Sequence, residues 1–307
     1  MRYAVIDIGA NTARMNIYDT AENIRPFTRV LSEYQNLGLL NYVESKIVTR
    51  TGTDRLLETL TEFTALAQNV RCDDCFYFAT ASLRYAENAA EVLTAAKNEL
   101  DIEIETVSGE NEALLSFEGL KMSFGEDINH GIMIDMGGGS TEIIGFVDGL
   151  AVRTVCLRMG CLTLYREYVR GILPEKRELK AMRDAIDKKI DDICWLKNYG
   201  SSAYLVGGTA RAAGDLHHIL SCGKESGENS SAMSYKELRR IYNYIKKPDR
   251  ETVKTLVRTH PDRLHTLIPG IYLLLRILKA AEAEDIIISP TGIREGYLAQ
   301  HLKQTAK

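Results

Sequence analysis

The sequence has no excess of positively charged residues, the feature that marks most proteins that bind nucleic acids non-specifically. Its 307 residues include 38 Lys and Arg against 42 Asp and Glu, a formal net charge of −4 at pH 7. Because such binding depends on neutralising phosphates with a basic surface, we expect no nucleic-acid partner. A phosphorylated substrate would have to be bound by a local concentration of Arg, Lys and metal.

A long hydrophobic run is also missing. The longest apolar stretch, residues 267–281, is interrupted by Pro269, Gly270 and Arg276, so it predicts a buried helix and no membrane span. The first residues lead directly into a predicted strand, with no secretory signal before it. We therefore expect a cytoplasmic protein without a membrane partner.

Cysteine and histidine are too scattered to predict a zinc site or a nucleophilic triad. There are six of each, and the cysteines are expected to be reduced thiols because no signal peptide is visible. Cys72 and Cys75 form an isolated CxxC pair, for which chance spacing is favoured over metal binding or a redox response. His217 and His218 face two directions of one predicted helix, which does not suit a zinc site.

The apolar pattern predicts an α/β protein. A chain of this length with 45% hydrophobic and 26% charged residues can form two cores of ordinary size. The pattern predicts strands at 3–8, 13–19, 26–31, 75–79, 103–107, 131–135, 141–147, 151–157, 203–206 and 285–288. It predicts helices near 51–69, 86–99, 110–122, 174–198, 209–221, 234–246, 249–259, 269–283 and 292–303.

The expected domain boundary lies just before the second of two similar glycine-rich segments. It gives a first domain of residues 1–124 and a second of residues 125–307, with the last helix, at about 292–303, able to pack back on the first domain. A stretch rich in Ser, Gly, Asn and Glu at 221–233 predicts a mobile loop.

One phrase occurs twice. Asp7–Thr12 reads DIGANT, and 128 residues later Asp135–Ser140 reads DMGGGS. Each copy follows an apolar run and precedes a second extended stretch, so the sequence predicts a duplicated hairpin with a glycine-rich turn. Glycine allows positive φ angles that let N–H groups converge on an anion, and the Asp before each turn is placed to hold a cation beside it. Two such hairpins facing each other would hold a polyphosphate and its metal.

The second copy contains more residues that are candidates for binding a phosphate or a metal. The three glycines Gly137–Gly139 exceed what a structural turn needs, although a flexible bulge is the alternative. Ser140 and Thr141 would add hydroxyl donors to a phosphate. Asp135 and Glu142 flank the turn and supply the hard oxygen ligands that Mg²⁺ prefers, with Mn²⁺ as the alternative ion.

Two further segments contain candidate catalytic groups. SGENEA at 108–113 joins a predicted strand to a helix, where Glu110 and Glu112 complement the helix dipole or, beside phosphate loops, serve as a general base for an attacking water. Arg84 follows another predicted strand and is placed to offset charge on a transferred phosphoryl group. The alternative for Arg84 is an ordinary surface ion pair.

Two other strand-to-helix junctions have the layout of an anion site. Gly207, Gly208 and Thr209 would present N–H groups at a helix start, where an anion or a ribose binds, and Thr209 is placed to cap the helix. Any tight junction has the same layout. At Ser289–Gly296, docking of the last helix is at least as good an interpretation as substrate contact.

These motifs, taken in order, resemble those of the exopolyphosphatase/guanosine pentaphosphate phosphohydrolase (Ppx/GppA) family, within the actin/sugar-kinase/Hsp70 ATPase-like superfamily. The resemblance runs from Tyr3 to about Leu298, nearly the whole chain. The motifs are DIGANTAR at 7–14, ATASLRYAENAAEVL at 79–93, SGENEA at 108–113, DMGGGSTE at 135–142, RMGCLTL at 158–164, GGTAR at 207–211 and GIREGYL at 292–298.

The resemblance implies two ribonuclease-H-like lobes around a central cleft, in which a polyphosphate loses its terminal phosphate with Mg²⁺. It implies that Glu112 is the catalytic base and that Arg84 is the Arg of the ATxxxR motif. It also implies metal binding by Asp135 and Glu142, with Asp7 as a further candidate, and phosphate contacts from Asn11, Gly138, Gly139 and Ser140. Thr12, beside Asn11 in the first turn, is a further candidate for phosphate binding. Homodimers are common in the family, although no residue of this sequence identifies an interface.

Three departures from the family pattern bear on these expectations. Asn111 replaces the first of two adjacent glutamates, which affects water positioning or substrate preference. Ala10 replaces a usual Ser and removes one hydroxyl donor. Longer members carry a helical HD-type domain after the GxREG helix, and this sequence ends at Lys307, so we expect the short two-domain form and a preference for short polyphosphate.

The sequence therefore predicts a Mg²⁺-dependent exopolyphosphatase, a phosphoric anhydride hydrolase that uses in-line attack of water. A guanosine pentaphosphate (pppGpp) phosphohydrolase is the nearest alternative, since Gly207–Thr209 occupy the place where superfamily members hold ribose. A non-catalytic polyphosphate or alarmone sensor is the alternative of another class, favoured by Asn111 and disfavoured by the intact acidic residues. A sugar or acetate kinase is disfavoured because SGENEA favours water as the acceptor.

Overall fold

The computed structural model describes residues 1–20, 27–125, 128–222, 232–246 and 249–305, and the chain divides into two units. The first unit comprises Met1–Met122 and Ile293–Lys307, and the second comprises Ser123–Gly292. The chain leaves the first unit close to the boundary expected at 124/125 and re-enters it at the last helix. The loop expected at 221–233 lies mostly outside the described residues.

The first unit is built on a mixed sheet. Its strands are β1 (Arg2–Ile8), β2 (Ala13–Asp19), β3 (Thr28–Gln35), β4 (Val43–Glu44), β5 (Ile47–Val48), β6 (Asp74–Ala79) and β7 (Ile104–Thr106). The sheet order is β3-β2-β1-β6-β7, antiparallel from β3 to β1 and parallel from β1 to β7, while β4 and β5 form a separate ladder. The sequence does not predict β4 or β5, because strands of two residues show no alternation.

Helices cover both faces of this sheet. They are α1 (Arg50–Asn69), α2 (Ala81–Arg84), α3 (Ala89–Leu100) and α4 (Gly109–Phe124). Side chains alternate along a strand, so Ile6 and Ile8 pack with α1 in one core, whereas Val5 packs with Leu115 of α4 in another. By the same alternation Asp7 lies on the face that α4 covers.

The helix predicted near 86–99 is wrong at its start, since α2 ends at Arg84 and α3 begins at Ala89. Between the two helices, the Asn88 side chain pairs with the backbone of Val48. Its Nδ2 donates to Val48 O at 3.0 Å, and its Oδ1 accepts from Val48 N at 2.8 Å. This contact joins residues 40 positions apart, so a local sequence pattern does not reveal it.

The second unit repeats the strand arrangement of the first. Its strands are β8 (His130–Met136), β9 (Thr141–Val147), β10 (Leu150–Leu157), β11 (Ser202–Val206), β12 (Ala232–Ser234) and β13 (Asp285–Ile288). β8, β9 and β10 pair antiparallel, β11 and β13 continue the sheet parallel to β8, and β12 lies antiparallel at its edge. The predicted fold class, α/β with two ribonuclease-H-like lobes, is confirmed.

The helices of the second unit differ from prediction at three points. They are α5 (Cys161–Tyr168), α6 (Lys176–Asp191), α7 (Gly208–Cys222), α8 (Tyr235–Ile245), α9 (Arg250–Thr259) and α10 (Leu267–Ala280). The sequence does not predict α5. It predicts one helix over 174–198, whereas α6 begins after Pro174 and ends at Asp191. The prediction that Thr209 caps α7 is wrong, since Thr209 lies within its first turn. Among the described residues no helix is long and apolar enough to span a membrane.

The last helix, α11 (Ile293–Thr305), belongs to the first unit. Its residues Tyr297 and Leu298 are buried in the same core as Val5 and Leu115. Gly296 packs directly on α4, because a Cβ built at this position would clash with the carbonyl oxygen of Leu115. The absence of a side chain at residue 296 therefore sets how closely α11 approaches α4.

Gly296→Ala is expected to lower the free energy of unfolding by about 1–3 kcal/mol, since the added methyl group forces two helix backbones apart. Thermal or urea unfolding measures this loss. Gln300→Ala, on an exposed position of α11, is the matched control and should change stability by no more than about 0.5 kcal/mol. Equal stability of the two variants would contradict the close packing of α11 on α4.

Candidate active site

The two hairpin turns close in the same way. Gly9 N donates to Thr12 O and Gly137 N donates to Ser140 O, each at 3.0 Å. Each turn has four residues, between the pairs Ile8–Ala13 and Met136–Thr141 of the flanking strands. The repeat predicted from the sequence is thus a repeat of backbone geometry.

The first turn has its carbonyl groups bound from one side. Leu40 N donates to Ala10 O at 3.2 Å, and Gly38 N donates to Asn11 O at 2.6 Å. In a trans peptide the C=O and N–H bonds point in opposite directions. The N–H groups of Asn11 and Thr12 therefore point away from residues 38–40.

The start of α5 binds the second turn in a similar manner. Cys161 N donates to Gly137 O at 3.1 Å, and Leu162 N donates to Gly138 O at 3.0 Å. These bonds use N–H groups that a helix N-terminus leaves without intrahelical partners. The opposite ends of the same two peptides, the N–H groups of Gly138 and Gly139, point away from α5.

Gly160 makes the contact between α5 and the second turn possible. A Cβ at residue 160 would lie 2.6 Å from both Gly137 O and Gly138 O, a distance that side chains do not adopt. Its backbone is extended, with φ −134° and ψ 178°, so space and not conformation requires the glycine. Gly160 belongs to the RMGCLTL motif at 158–164, which is the sequence signal for this role. The role could not be predicted because the sequence does not predict α5.

The four N–H groups that point away from these contacts, those of Asn11, Thr12, Gly138 and Gly139, have no protein acceptor among the described residues. Successive N–H groups that point the same way form a concave site for an anion. The chemistry predicted for the turns, binding of phosphate oxygens by backbone donors, is compatible with this geometry in each unit.

The two hairpins differ in the residue opposite the Asp. Asp7 of β1 pairs across the hairpin with Arg14 of β2, whereas Asp135 of β8 pairs with Glu142 of β9. Cross-strand partners point to the same face with Cβ atoms about 5 Å apart. The first hairpin thus joins a carboxylate to a cation, and the second joins two carboxylates.

Asp7 is also bound by a cation of the last helix. Arg294 of α11 donates from Nη1 to Asp7 Oδ2 at 2.8 Å. Burial raises the pKa of the Asp7 carboxyl, while Arg294 and Arg14 act in the opposite direction. A carboxylate already bound to a guanidinium is a poorer candidate metal ligand than the pair in the second hairpin.

Asp135 and Glu142 suit a magnesium ion. Glu142 is buried, and Cys156 of β10 donates from its thiol to Glu142 Oε1 at 3.1 Å. In the part of the chain that the structure describes, no three His, Cys, Asp or Glu side chains lie together as a metal cluster. Mg²⁺ is commonly held by one or two carboxylates together with substrate phosphates. The chemistry of this donor pair therefore fits Mg²⁺.

The hydroxyl groups at the end of the second turn, those of Ser140 and Thr141, lie inside the protein. Ser140 and Thr141 are both buried, and Thr141 Oγ1 donates to Met159 O at 2.6 Å. The hydroxyl donor that the sequence offers to a phosphate at Thr141 is therefore directed to the segment before α5. This bond adds a further connection between that segment and the second turn.

The predicted catalytic residues Arg84 and Glu112 contact each other. Arg84 Nη1 donates to Glu112 Oε2 at 2.5 Å and to Val107 O at 3.1 Å. The side chains of Arg84 and Glu112 are 10% and 11% exposed, so the pair is largely shielded from water. The guanidinium also lies over the ring of Tyr85, 4.9 Å from its centroid. Both charged groups are therefore held in one orientation.

The sheet places this pair beside the first turn. Thr80 N donates to Ile8 O at 3.2 Å, and Val107 N donates to Ala79 O at 2.9 Å, so the carboxyl ends of β1, β6 and β7 are joined. α2 follows β6 and ends at Arg84, and α4 follows β7 with Glu112 in its first turn. Ligands bind at this edge of open α/β sheets.

In the second unit the Gly207–Gly208 junction lies against the second hairpin. Gly207 has φ +104°, and a Cβ there would lie 2.5 Å from Met136 O and 3.4 Å from Asp135 Oδ1. Arg263 lies across Gly208 at the N-terminus of α7. A guanidinium at a helix N-terminus adds to the positive potential that attracts anions. The sequence does not predict a role for Arg263, which ends the short 3₁₀ helix Pro261–Arg263 and belongs to no motif.

Thr209 does not face the same way as this junction. Its side chain is buried, and a Cβ on Gly270 of α10 would lie 2.8 Å from Thr209 Cγ2. It also contacts the thiol of Cys161, whose pKa is raised by burial. The ligand contact predicted for Thr209 is therefore limited to its backbone.

The chain matches the Ppx/GppA phosphatase family over residues 17–305. It is 25% identical over 309 residues to Exopolyphosphatase 1 of Mycobacterium bovis, with 100% of this chain and 90% of that protein covered. It is 28% identical over 304 residues to a guanosine-5'-triphosphate,3'-diphosphate pyrophosphatase of Aeromonas salmonicida, with 96% of this chain but 58% of that protein covered.

Solved structures show the same fold. A crystal structure of an exopolyphosphatase from Cytophaga hutchinsonii has a TM-score of 0.88 at 20% identity, with 99% of this chain and 98% of that chain covered. A Ppx/GppA family member from Aquifex aeolicus has a TM-score of 0.79 at 22% identity, with 100% and 99% covered. The predicted family and enzyme class are confirmed at the level of the family, and the protein belongs to the Ppx/GppA phosphatase family.

Proposed function

We propose that this protein is a Mg²⁺-dependent exopolyphosphatase, which hydrolyses the terminal phosphoanhydride bond of inorganic polyphosphate. The observation that carries the proposal is the buried pair of Glu112 and Arg84 beside the first glycine turn. Hydrolysis of a phosphoanhydride needs a group that orients and deprotonates water and a cation that offsets phosphoryl charge. The exopolyphosphatase relative, which this chain covers over 90% of its length, supports the substrate class.

In this proposal Glu112 orients a water and accepts its proton as the water oxygen attacks the terminal phosphorus. The bond from that phosphorus to the bridging oxygen breaks, and the products are orthophosphate and a polyphosphate shorter by one unit. Arg84 contacts the transferred phosphoryl group and keeps Glu112 in place through their 2.5 Å bond. The fixed orientation of both groups lowers the reorganisation that the reaction requires.

The backbone N–H groups of each turn are donors for phosphate oxygens. Asn11 and Thr12 in the first unit, and Gly138 and Gly139 in the second, offer N–H groups that have no other acceptor among the described residues. Backbone donors suit a polymeric substrate, because every phosphate of the chain presents the same oxygens. The Ala10 departure leaves these donors in place.

Asp135 and Glu142 are the residues that would hold Mg²⁺, and Mn²⁺ suits the same oxygen donors. When bound, the ion supplies positive charge next to phosphate oxygens. The cross-strand register keeps the two carboxylates on one face of the sheet. Asp7 is left out of this set because Arg294 already binds it and Arg14 lies opposite it across the hairpin.

A second candidate substrate is guanosine pentaphosphate. The observation that favours it is Arg263 on Gly208 at the N-terminus of α7, a place suited to an additional anionic group of a nucleotide. The relative named as a guanosine-5'-triphosphate,3'-diphosphate pyrophosphatase supports it, although this chain covers 58% of that protein.

Release of phosphate by the purified full chain in Mg²⁺ tests the proposal. We expect release from tripolyphosphate and from long polyphosphate at rates above those from guanosine pentaphosphate and ATP, because the donors described here recognise phosphate and no base. Addition of EDTA should abolish release, and excess Mg²⁺ should restore it.

The alternatives give different results in the same assay. Faster release from guanosine pentaphosphate than from either polyphosphate would favour the second candidate. Binding of polyphosphate, measured by calorimetry, without release from any of the substrates would favour a sensor and reject the hydrolase.

A further inference from the structure

Arg294, the second residue of α11, lies on the sheet face that bears Asp7. Its Nη1 donates to Asp7 Oδ2 at 2.8 Å, and the side chains of Arg294 and Asp7 are 15% and 16% exposed. These residues are 287 positions apart in the chain. At such low exposure the ion pair is held by the fold and is only partly screened by solvent.

A second contact fixes the plane of the Arg294 guanidinium. With its amide oxygen turned toward Arg294, the fully buried Asn16 of β2 accepts from Arg294 Nε at 3.1 Å and donates to the Ser32 hydroxyl at 2.8 Å. A guanidinium with two acceptors at a fixed angle has little freedom to rotate. The Asp7 carboxylate is thereby held in one orientation.

The neighbouring residue adds to the docking of α11. Glu295 accepts from the buried Tyr18 hydroxyl at 2.5 Å. Gly296 then contacts the backbone of α4 at Leu115, three residues after Glu112. The first turn of α11 thus contacts both the β1–β2 hairpin, which contains the first glycine turn, and α4, which contains Glu112.

The charge of Asp7 explains why a guanidinium is useful here. Asp7 comes two residues before Gly9, where the first turn begins, and the N–H groups of that turn are the proposed phosphate donors. An uncompensated carboxylate at this position would repel a polyanion. Arg14 and Arg294 offset that charge, and Arg294 alone comes from outside the hairpin.

We propose that Arg294 is a positioning residue for polyphosphate binding, which acts through Asp7 by orienting its carboxylate and offsetting its charge at the first phosphate turn. The inference rests on the proposed function. It gives the GIREG motif a role in the reaction beyond docking the last helix.

The test is a double-mutant cycle of Arg294→Met and Asp7→Asn, with tripolyphosphate as the substrate. Arg294→Met alone should lower kcat/KM by about 10- to 100-fold, because it leaves the Asp7 carboxylate without its hydrogen-bonded counter-charge. Most of this loss should be a higher KM. In the Asp7→Asn background the same change should alter kcat/KM by less than about twofold, because the charge on which Arg294 acts is gone. Equal losses in both backgrounds would overturn the proposal.

Two further variants separate this role from a loss of stability. Arg276→Met removes an ion pair in the second unit, Arg276 Nε to Asp187 Oδ1 at 2.6 Å, with side chains 27% and 30% exposed. It should lower Tm and leave kcat/KM unchanged. Arg294→Lys keeps the charge and should reverse part of the rise in KM expected for Arg294→Met. It replaces that variant if Arg294→Met does not fold. No recovery by Lys, with Tm near that of the wild type, would contradict the charge component.

The same cycle is measured on tripolyphosphate affinity by calorimetry, which needs no turnover. A wild type that neither binds nor hydrolyses tripolyphosphate would reject the proposed function. A wild type that binds or hydrolyses it, with an Arg294→Met effect that does not depend on Asp7, would reject the role of Arg294 alone.

Discussion

Glu112→Gln is expected to lower kcat for phosphate release from polyphosphate by about 10²- to 10⁴-fold, the contribution typical of a general base. The amide cannot accept the proton of the attacking water, but its oxygen can still accept from Arg84 Nη1, which lies 2.5 Å from Glu112 Oε2. Binding should therefore persist, and calorimetry with tripolyphosphate should give an affinity within a few-fold of the wild type.

Glu110→Gln is the matched control for this experiment. Glu110 lies in the first turn of the same helix, but it is exposed whereas Glu112 is buried. Its replacement removes the same charge from the same helix terminus and should leave kcat nearly unchanged. If Glu112→Gln retained the wild-type kcat, Glu112 would not be the base. Equal losses in both variants would show that the charge near the helix N-terminus, and not proton transfer, is responsible.

Gly160→Ala is expected to lower kcat/KM by about 100-fold, the loss that follows from a displacement of about 1 Å in a binding group. A Cβ at this position would lie 2.6 Å from Gly137 O, Gly138 C and Gly138 O, and all three are backbone atoms that cannot rotate away. Either α5 or the second turn must move, and the N–H groups of Gly138 and Gly139 would lose their direction. The free energy of unfolding should fall by about 1–3 kcal/mol.

Gly171→Ala controls for the loss of a glycine in the same unit. A Cβ on Gly171 would have Leu173 O at 3.7 Å, an ordinary van der Waals distance. Steady-state kinetics and thermal unfolding of both variants separate the two effects. A Gly160→Ala protein with unchanged kcat/KM would show that the direction of the second turn is not important for catalysis.

Much of the fold could be predicted from the sequence because its strands are short, apolar and bounded by glycine or Asp. The strand expected at 13–19 is β2, and the one expected at 141–147 is β9, each with the predicted bounds. The failures occur where tertiary contacts end or start an element. Asn88 binds Val48 between α2 and α3, and α5 begins where its N–H groups meet the second turn.

The candidate site was predictable in its components and not in their contacts. The sequence predicts roles for Arg84 and Glu112 separately, whereas the structure joins them in one buried pair. Nothing in the sequence indicates Arg263, because an isolated Arg between two predicted helices looks like any solvated residue. Thr141 and Thr209 show the opposite case, in which the sequence suggests a contact that the structure does not support. A hydroxyl beside a glycine turn suggests a ligand contact, but both side chains are buried.

By itself the sequence determined the two hairpins and their turns, since strand, glycine turn and strand are adjacent in the chain and occur twice. Only the tertiary structure decided how the copies differ in use. Asp7 and Asp135 follow the same kind of apolar run, and the sequence offers both as metal ligands, yet Asp7 is bound by Arg294. The contact with Arg294 spans 287 positions and depends on the packing of α11 against the sheet, which no local pattern of residues encodes.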